Sequence, residues 1–344
     1  MINNTRSLAT KYRPQSMSEV VEQDEIKTIL SNQLKSKNYK PAYLLTGSQG
    51  TGKTTMGRLF GAEINNHRGN IIELDAASNS SVENIREIIN QAKTQSIDSE
   101  YKIFLIDEVH SLSSQAFQAL LKTLEEPPLK AIFILCTTNP EKIPKTILSR
   151  VQRYDLKRIS QQGIMHRLQY ILANEGIVVD ESNIDAIDYV SRLADGGMRD
   201  AITLLEKCLG YSEQLTIDNV LKALGIADYD TMFTMLNAIN DRDVIKALEC
   251  IDTVYQNGAD MKQFIKNFTD MLLDVCKYSL YKNFKYIKIP NTHKTDLDNY
   301  TDKDYQTFYK LLDVIVKVNG GMRWETNPRS VLEAELLLFM NRSE

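Results

Sequence analysis

Gly47-Ser48-Gln49-Gly50-Thr51-Gly52-Lys53-Thr54 limits the folds open to this chain more than any other stretch. It fits the phosphate-loop pattern G-x-x-x-x-G-K-[ST] without a mismatch. Ala42-Tyr43-Leu44-Leu45-Thr46 before it reads as a buried strand, and Thr55-Met56-Gly57-Arg58-Leu59-Phe60 after it continues as a helix. Strand, glycine-rich turn and helix are the context in which backbone N–H groups and a helix N-terminus receive a phosphate chain. In that context Lys53 reaches the β- and γ-phosphates and the Thr54 hydroxyl holds Mg²⁺.

The 344 residues are too many for one ordinary core, so two or three domains are expected. A charged fraction of 25% and an apolar fraction of 42% belong to a globular chain. The formal charge of −4 gives no global basic signature, so any nucleic-acid contact needs a local patch or a ring of subunits. The longest apolar run, near Ala131–Cys136, is too short to span a membrane, and Met1–Thr10 lacks the apolar core of a signal peptide. A cytoplasmic protein is expected. Cys136, Cys208, Cys250 and Cys276 form no C-x-x-C pair and lie among apolar neighbours, so buried free thiols are expected and zinc is not.

Residues 7–23 read as an extended lead-in, followed by a helix from Asp24 to about Lys35 with Ile26, Ile29, Leu30 and Leu34 on its apolar stripe. Strands are expected at Ile71–Leu74, Lys102–Asp107, Ala131–Thr137 and Tyr154–Leu156, with helices at Val82–Ala92 and Ser114–Leu124 between them. This alternation predicts a doubly wound α/β layer whose five parallel strands are covered on both faces, with ligands at their carboxyl ends. From Ser160 to about Leu224 the pattern is helical. Its stripes are Met165, Leu168, Ile171 and Leu172; Ile184, Ile187, Val190 and Leu193; and Ile202, Leu204 and Leu205, which suggests three helices. Beyond Ala227 longer helices follow, one carrying Phe264, Phe268, Leu272 and Val275 on a face. Pro290–Asp304 reads as a loop before helices near Tyr305–Val318 and Ser330–Met340.

The strand Lys102–Asp107 ends in Asp107 and Glu108. Asp107 suits a Mg²⁺ held through Thr54 or the water shell, and Glu108 suits a group that orients or deprotonates attacking water. Thr138, after another strand, could orient water; Thr-Asn-Pro is also an ordinary turn. Arg150, on a short helix before a strand, reads by itself as a solvated surface charge rather than a site residue.

These separated words together resemble the γ/τ family of bacterial DNA polymerase III clamp-loader subunits, which are AAA+ ATPases. The words are Lys11-Tyr12-Arg13-Pro14, Gly47–Thr54, Leu74-Asp75-Ala76-Ala77-Ser78-Asn79, Ile106-Asp107-Glu108-Val109-His110, Leu120–Pro128, Thr137-Thr138-Asn139-Pro140, Ile147-Leu148-Ser149-Arg150 and Met198-Arg199-Asp200. They cover roughly the first 210 residues strongly. The resemblance implies a P-loop AAA+ domain with a five-stranded parallel sheet (1–158), a three-helix lid (159–225) and an all-α collar that assembles subunits (226–344).

It also implies roles. Pro14, Val20 and Val21 would border the adenine of ATP, and Gly47, Gly50, Thr51, Gly52, Lys53, Thr54 and Thr55 its phosphates. Thr54 and Asp107 would hold Mg²⁺. Thr138 would be sensor 1, Arg199 sensor 2, and Arg150 an arginine finger acting on the neighbouring subunit's ATP. Ser78, Ser81, Arg86, Lys122 and Thr146 match positions that follow the phosphates of primer-template DNA. The implied partners are the other subunits of a pentameric ring and a sliding clamp, and the implied work is ATP-driven loading of that clamp during replication.

Four features depart from the family pattern. The four-cysteine zinc module is replaced by the short stretch Gly61–Asn70, Val151 stands where cysteine follows Leu-Ser-Arg, and Glu22 stands where glycine is usual. The chain also stops at Glu344, without a τ-like tail, as expected of a compact relative such as a phage would encode. Two other readings compete: a AAA+ branch-migration motor, against which Glu-Glu-Pro-Pro and Leu-Ser-Arg argue, and a non-catalytic scaffold subunit, against which Lys53, Asp107 and Glu108 argue.

Overall fold

The computed structural model describes residues 6–94, 96, 98–225, 229–284, 287–300, 305–322 and 326–341. The chain divides into two compact units, one of Asn3–Gly176 with Ala194–Thr203, the other chiefly of Ile177–Leu193 with Leu204–Glu344.

The first unit is built on five strands: β1 Ala42–Thr46, β2 Ile71–Asp75, β3 Lys102–Asp107, β4 Ala131–Thr137 and β5 Gln152–Asp155. All pairings are parallel, in the order β2-β3-β4-β1-β5. Its helices are α1 Leu8–Lys11, α2 Asp24–Ser36, α3 Lys53–Ile64, α4 Val82–Ala92, α5 Ser114–Glu125, α6 Lys145–Leu148 and α7 Gln161–Asn174.

Alternation along each strand sends residues to two faces. Leu44, Phe104, Phe133 and Leu135 pack with Ile85, Ile88, Phe117, Leu120 and Ile147 of α4, α5 and α6. Tyr43, Leu45, Leu105 and Ile134 pack with Ile26 and Leu30 of α2 and with Met56, Phe60 and Ile64 of α3. β1, β3 and β4 are therefore covered on both faces. β2, at the edge, is only half covered, since none of its five residues is fully buried.

Helix α3 lies unusually close to the sheet because two of its turns carry glycine. A Cβ on Gly57 would stand 2.8 Å from Leu105 Cδ1, and one on Gly61 would stand 2.8 Å from Ile103 Cγ2. Helix starts follow local chemistry. Ser81, Ser113 and Ser160 accept the N–H groups of Asn84, Ala116 and Gly163 at the beginnings of α4, α5 and α7.

The second unit is helical. It holds α8 Glu181–Leu193, most of α9 Met198–Tyr211, α10 Ile217–Leu224, α11 Tyr229–Asn240, α12 Val244–Gln256, α13 Met261–Tyr281, α14 Lys294–Asp298, α15 Tyr305–Gly321 and α16 Pro328–Asn341. The predicted stripe Phe264, Phe268, Leu272 and Val275 is fully buried. The irregular stretch after α13 is held by polar bonds. Arg192 donates to the Ile287 and Ile289 carbonyls at 3.0 and 3.1 Å, and buried Asp274 accepts the Lys288 N–H at 2.5 Å.

Some sequence expectations need correction. The lead-in is not extended throughout: α1 and a 3-10 turn at Met17–Glu19 interrupt it, the latter closed by a Ser16 carbonyl. Pro290–Asp304 is not all loop, because a 3-10 turn at Asn291–His293 runs into α14, which buries Leu297; residues 301–304 lie outside the described set. The last strand starts two residues earlier than expected, paired from Gln152 with Tyr43. Ile29 and Ile184 are 42% and 40% exposed rather than core, since Ala186, Ile187, Tyr189 and Val190 fill the interior of α8. A fourth helix, α10, precedes residue 225. All four cysteines are free and buried. Among the described residues, no helix is long and apolar enough to cross a membrane.

Gly57→Ala should destabilise the protein by about 1–3 kcal/mol, as a methyl forced into a filled core does, and a lower denaturant midpoint at unchanged slope would register it.

Candidate nucleotide site

The loop between β1 and α3 is shaped by contacts that exclude side chains. A Cβ on Gly47 would lie 2.6 Å from the Leu156 carbonyl oxygen. Gly50, at φ +74°, would place one 2.8 Å from the Cα of Gly197. Thr51 is buried and its hydroxyl donates to the Ser48 carbonyl at 2.9 Å. Lys53 is 6% exposed, and its Nζ donates to the Gly47 and Ser48 carbonyls at 2.9 and 2.8 Å. Burial pushes the Lys53 amine below its ordinary pKa, opposed by the nearby carboxylates of Glu108 and Asp107. A buried ammonium whose hydrogen bonds go to the neutral Gly47 and Ser48 carbonyls is suited to an anionic ligand at the mouth of the loop.

The acids at the end of β3 reach the same place. The Thr54 hydroxyl donates to Asp107 Oδ2 at 2.7 Å, and Asp107 Oδ1 accepts the Glu108 N–H at 3.0 Å. Hard oxygen donors in this arrangement fit Mg²⁺. Glu108 adopts φ +47°, a left-handed conformation that is uncommon for a residue with a Cβ. Its Oε2 stands 3.2 Å from both Thr138 Oγ1 and His110 Nδ1. Thr138 also lies 2.8 Å from Asn139 Oδ1, so its single hydroxyl proton serves one acceptor or the other. His110 further approaches Thr137 Oγ1 at 3.0 Å. Sequence reading gave His110 no role, although it follows the acidic pair by two residues.

The start of α9 closes on the loop. The Met198 N–H donates to the Gly50 carbonyl at 3.0 Å, and exposed Arg199 is the next residue. Thr55 follows Thr54 in the first turn of α3 and is half-buried, as is the Gly52 that precedes the helix.

Of the lead-in residues assigned to a nucleobase, Val21 lines an open groove of about 560 Å³ shared with Gly163, His166, Arg167 and Tyr170 of α7. Val20 instead packs in the core with Met17 and Ile26. Half-buried Pro14 lies outside that lining, in a stretch tied to α7 by Arg167, which donates to the Tyr12 carbonyl at 2.8 Å. Glu22, the residue that departs from glycine, has φ +56°. Its carboxylate compensates by accepting the Ser160 N–H at 3.1 Å and the Ser160 hydroxyl, at the start of α7.

Arg150 is not brought to this site. β5 begins at Gln152 level with Tyr43, so Arg150 stands at the amino edge of the sheet, whereas the phosphate loop follows Thr46 at the carboxyl edge. At ~3.3 Å per residue the strand between them spans about 15 Å. The guanidinium is held on its own edge. Nη2 donates to Glu125 Oε1 at 2.7 Å, and Nη1 to the Thr146 carbonyl and Ser149 Oγ at 2.8 and 3.0 Å. Nothing in the spacing of the sequence pointed to Glu125.

Ser78, Ser81, Arg86, Lys122 and Thr146 fall on the β2–α4 loop, α4, α5 and α6, which pack in that order. Ser78, Arg86, Lys122 and Thr146 are exposed. Ser78 donates to Asp75 Oδ2 at 3.0 Å, and Ser81 caps α4.

Comparison with known proteins places these elements in one context. Residues 65–160 match the family model for the DNA polymerase III delta subunit, 163–214 that for the clamp-loader subunit ATPase lid domain, and 215–337 that for domain III of DNA polymerase III subunits gamma and tau. DNA polymerase III subunit tau of Bacillus subtilis is 35% identical over 98% of this chain, which spans 64% of that protein. DNA polymerase III subunit gamma of Buchnera aphidicola from Acyrthosiphon pisum is 36% identical over 98% of both chains. Among solved structures, the RuvB Holliday junction branch migration motor of Thermotoga maritima superposes with a TM-score of 0.53 at 17% identity, covering 66% of this chain and 79% of that one, a likeness of fold alone.

Gly50→Ala should force the loop away from Gly197 and break the Met198 bond; nucleotide affinity, read by titrating a fluorescent ATP analogue, should fall at least tenfold while the fold, read by circular dichroism, persists.

Proposed function

The chain belongs to the gamma/tau family of DNA polymerase III clamp-loader subunits, and from that membership we propose that it is the ATP-hydrolysing motor subunit of a clamp loader. The observation that carries this reading is the split of its catalytic groups between two edges of one sheet. Lys53, Thr54, Asp107, Glu108 and Thr138 gather at the carboxyl edge, and Arg150 stands about 15 Å away at the amino edge. That separation from its own chain's pocket supports reading Arg150 as a finger for a nucleotide bound to another protomer.

In this reading the loop amides and Lys53 bind the β- and γ-phosphates of ATP. Thr54 and Asp107 hold Mg²⁺, which when bound neutralises charge on the phosphate oxygens. Glu108 orients and deprotonates the attacking water. Thr138, within reach of Glu108, senses the γ-phosphate as sensor 1, and Arg199 does so from the first turn of α9 as sensor 2. Arg150 stabilises charge developing on the phosphoryl group of the adjacent subunit, a contribution of about 10³ to 10⁵ in related NTPases.

The same reading takes residues 1–158 as the nucleotide-binding domain, 159–225 as the lid and 226–344 as the collar. The lid and domain III matches at 163–214 and 215–337 support a lid followed by a collar, with α10 on the collar side of their junction. The partners are the other loader subunits in a ring of five, a sliding clamp, and primer-template DNA in the cytoplasm. Ser78, Ser81, Arg86, Lys122 and Thr146 would meet DNA phosphates, so binding would be insensitive to sequence and weakened by salt. Zinc has no part in the reading, because no cysteine joins a cluster of potential metal ligands among the described residues.

Three substitutions test the assignments. Lys53→Ala should abolish ATP binding. Glu108→Gln should bind ATP and lose turnover by at least a hundredfold. Arg150→Ala should bind ATP normally and lose at least a hundredfold in hydrolysis, regained when it is mixed with Lys53→Ala chains. Full hydrolysis by Arg150→Ala alone, or no stimulation of ATPase by primed DNA with the cognate clamp, would count against the proposal.

A further inference from the structure

The Arg150 guanidinium is more constrained than a surface arginine needs to be. Three donors are engaged by its own chain: Nη2 to Glu125 Oε1 at 2.7 Å, and Nη1 to the Thr146 carbonyl at 2.8 Å and to Ser149 Oγ at 3.0 Å. An arginine head has five N–H groups, so Nε–H and one Nη2–H remain for another acceptor. Glu125 and Arg150 come from different elements, the last turn of α5 and the turn after α6, 25 positions apart. Their meeting fixes the plane of the fork rather than a local turn.

Folding stability does not explain the pair. Its side chains are 34% and 42% exposed, and ion pairs at such exposure contribute only about 0–1 kcal/mol. Orientation does. A free arginine side chain carries about 2 kcal/mol of rotamer entropy, lost when it must meet a phosphoryl oxygen in one geometry. A head already held by a carboxylate, a carbonyl and a hydroxyl has given up most of that freedom beforehand. Thr146 and Ser149 grip one nitrogen from behind. Glu125 alone supplies a negative charge and alone reaches the other, so removing it frees the head to swing.

We propose that Glu125 is the positioning residue of the arginine finger: from the same chain it holds the Arg150 guanidinium so that its two remaining N–H groups point outward to the neighbouring protomer's phosphate. This rests on the reading of Arg150 as a finger acting in trans. In this proposal the effect of Glu125 passes entirely through Arg150.

The test uses the loader complex assembled from full-length chains. Arg150→Ala chains supply intact ATP sites without fingers, and Lys53→Ala chains supply fingers without ATP sites. Their mixture sets the reference turnover. Replacing the donor by Lys53→Ala/Glu125→Ala should lower kcat about tenfold or more, the scale of a misaligned catalytic group, with KM for ATP changed less than about twofold. Lys53→Ala/Glu125→Gln, which keeps an acceptor of the same size, should recover most of the loss. In chains already carrying Arg150→Ala, adding Glu125→Ala should change nothing further. Donor chains lacking Glu125 that restore full turnover overturn the role of Glu125 and leave the finger standing. A further loss in the Arg150→Ala background also overturns it, by showing an effect that bypasses Arg150. A reference mixture that recovers no activity removes the trans finger itself, and Glu125 with it.

Discussion

Parallel register across β1, β4 and β3 is the constraint on which the rest of this chain depends. Thr46 is level with Thr137, and Ile106 with Leu135, so the three strands end together. That common ending puts the phosphate loop, the acidic pair and Thr138 along one edge, from segments far apart in sequence. The Thr54–Asp107 hydrogen bond closes the arrangement, and it exists because Gly57 and Gly61 let α3 sink onto Leu105 and Ile103. Bulk on α3 would lift the helix, and with it the hydroxyl that meets the aspartate.

Beneath this edge the chemistry is of opposing charges in a partly dry place. Burial weakens the preference of Lys53 for its proton, and Glu108 and Asp107 oppose that without cancelling it. Asp107 is used twice, by Thr54 and by the backbone that turns Glu108 into its left-handed conformation. That turn aims a carboxylate toward Thr138 and His110.

Much of this was legible in the sequence. The strands bearing Leu44, Phe104 and Phe133 are apolar runs bounded by polar ends, and such runs announce themselves. The phosphate loop and the acids at a strand end carry their own chemistry. What escaped notice depended on partners distant along the chain. The short α1 and α14 have too few turns for periodicity to register, and tertiary burial of Leu8 and Leu297 holds them. Glu22 looked like a plain departure from glycine. Its left-handed backbone explains why glycine suits the position, and the Ser160 contact shows how a carboxylate lives there. Spacing alone could not tell Arg150 from a solvated charge; only the resemblance singled it out, and its place on the edge away from Lys53 needed the strand pairing.

That separation has a consequence for any row of such chains. In the trans arrangement proposed for Arg150, each interface would join one pocket to one arginine, so an open arc would hold one fewer complete site than it has members. The protomer at one end exposes an arginine that reaches nothing, and the protomer at the other keeps an unattended pocket. A subunit that had lost its own loop could occupy the first position, and one without an arginine the last, at no loss of throughput. Asymmetry among the members of the assembly is thus permitted by where a single side chain sits on a sheet.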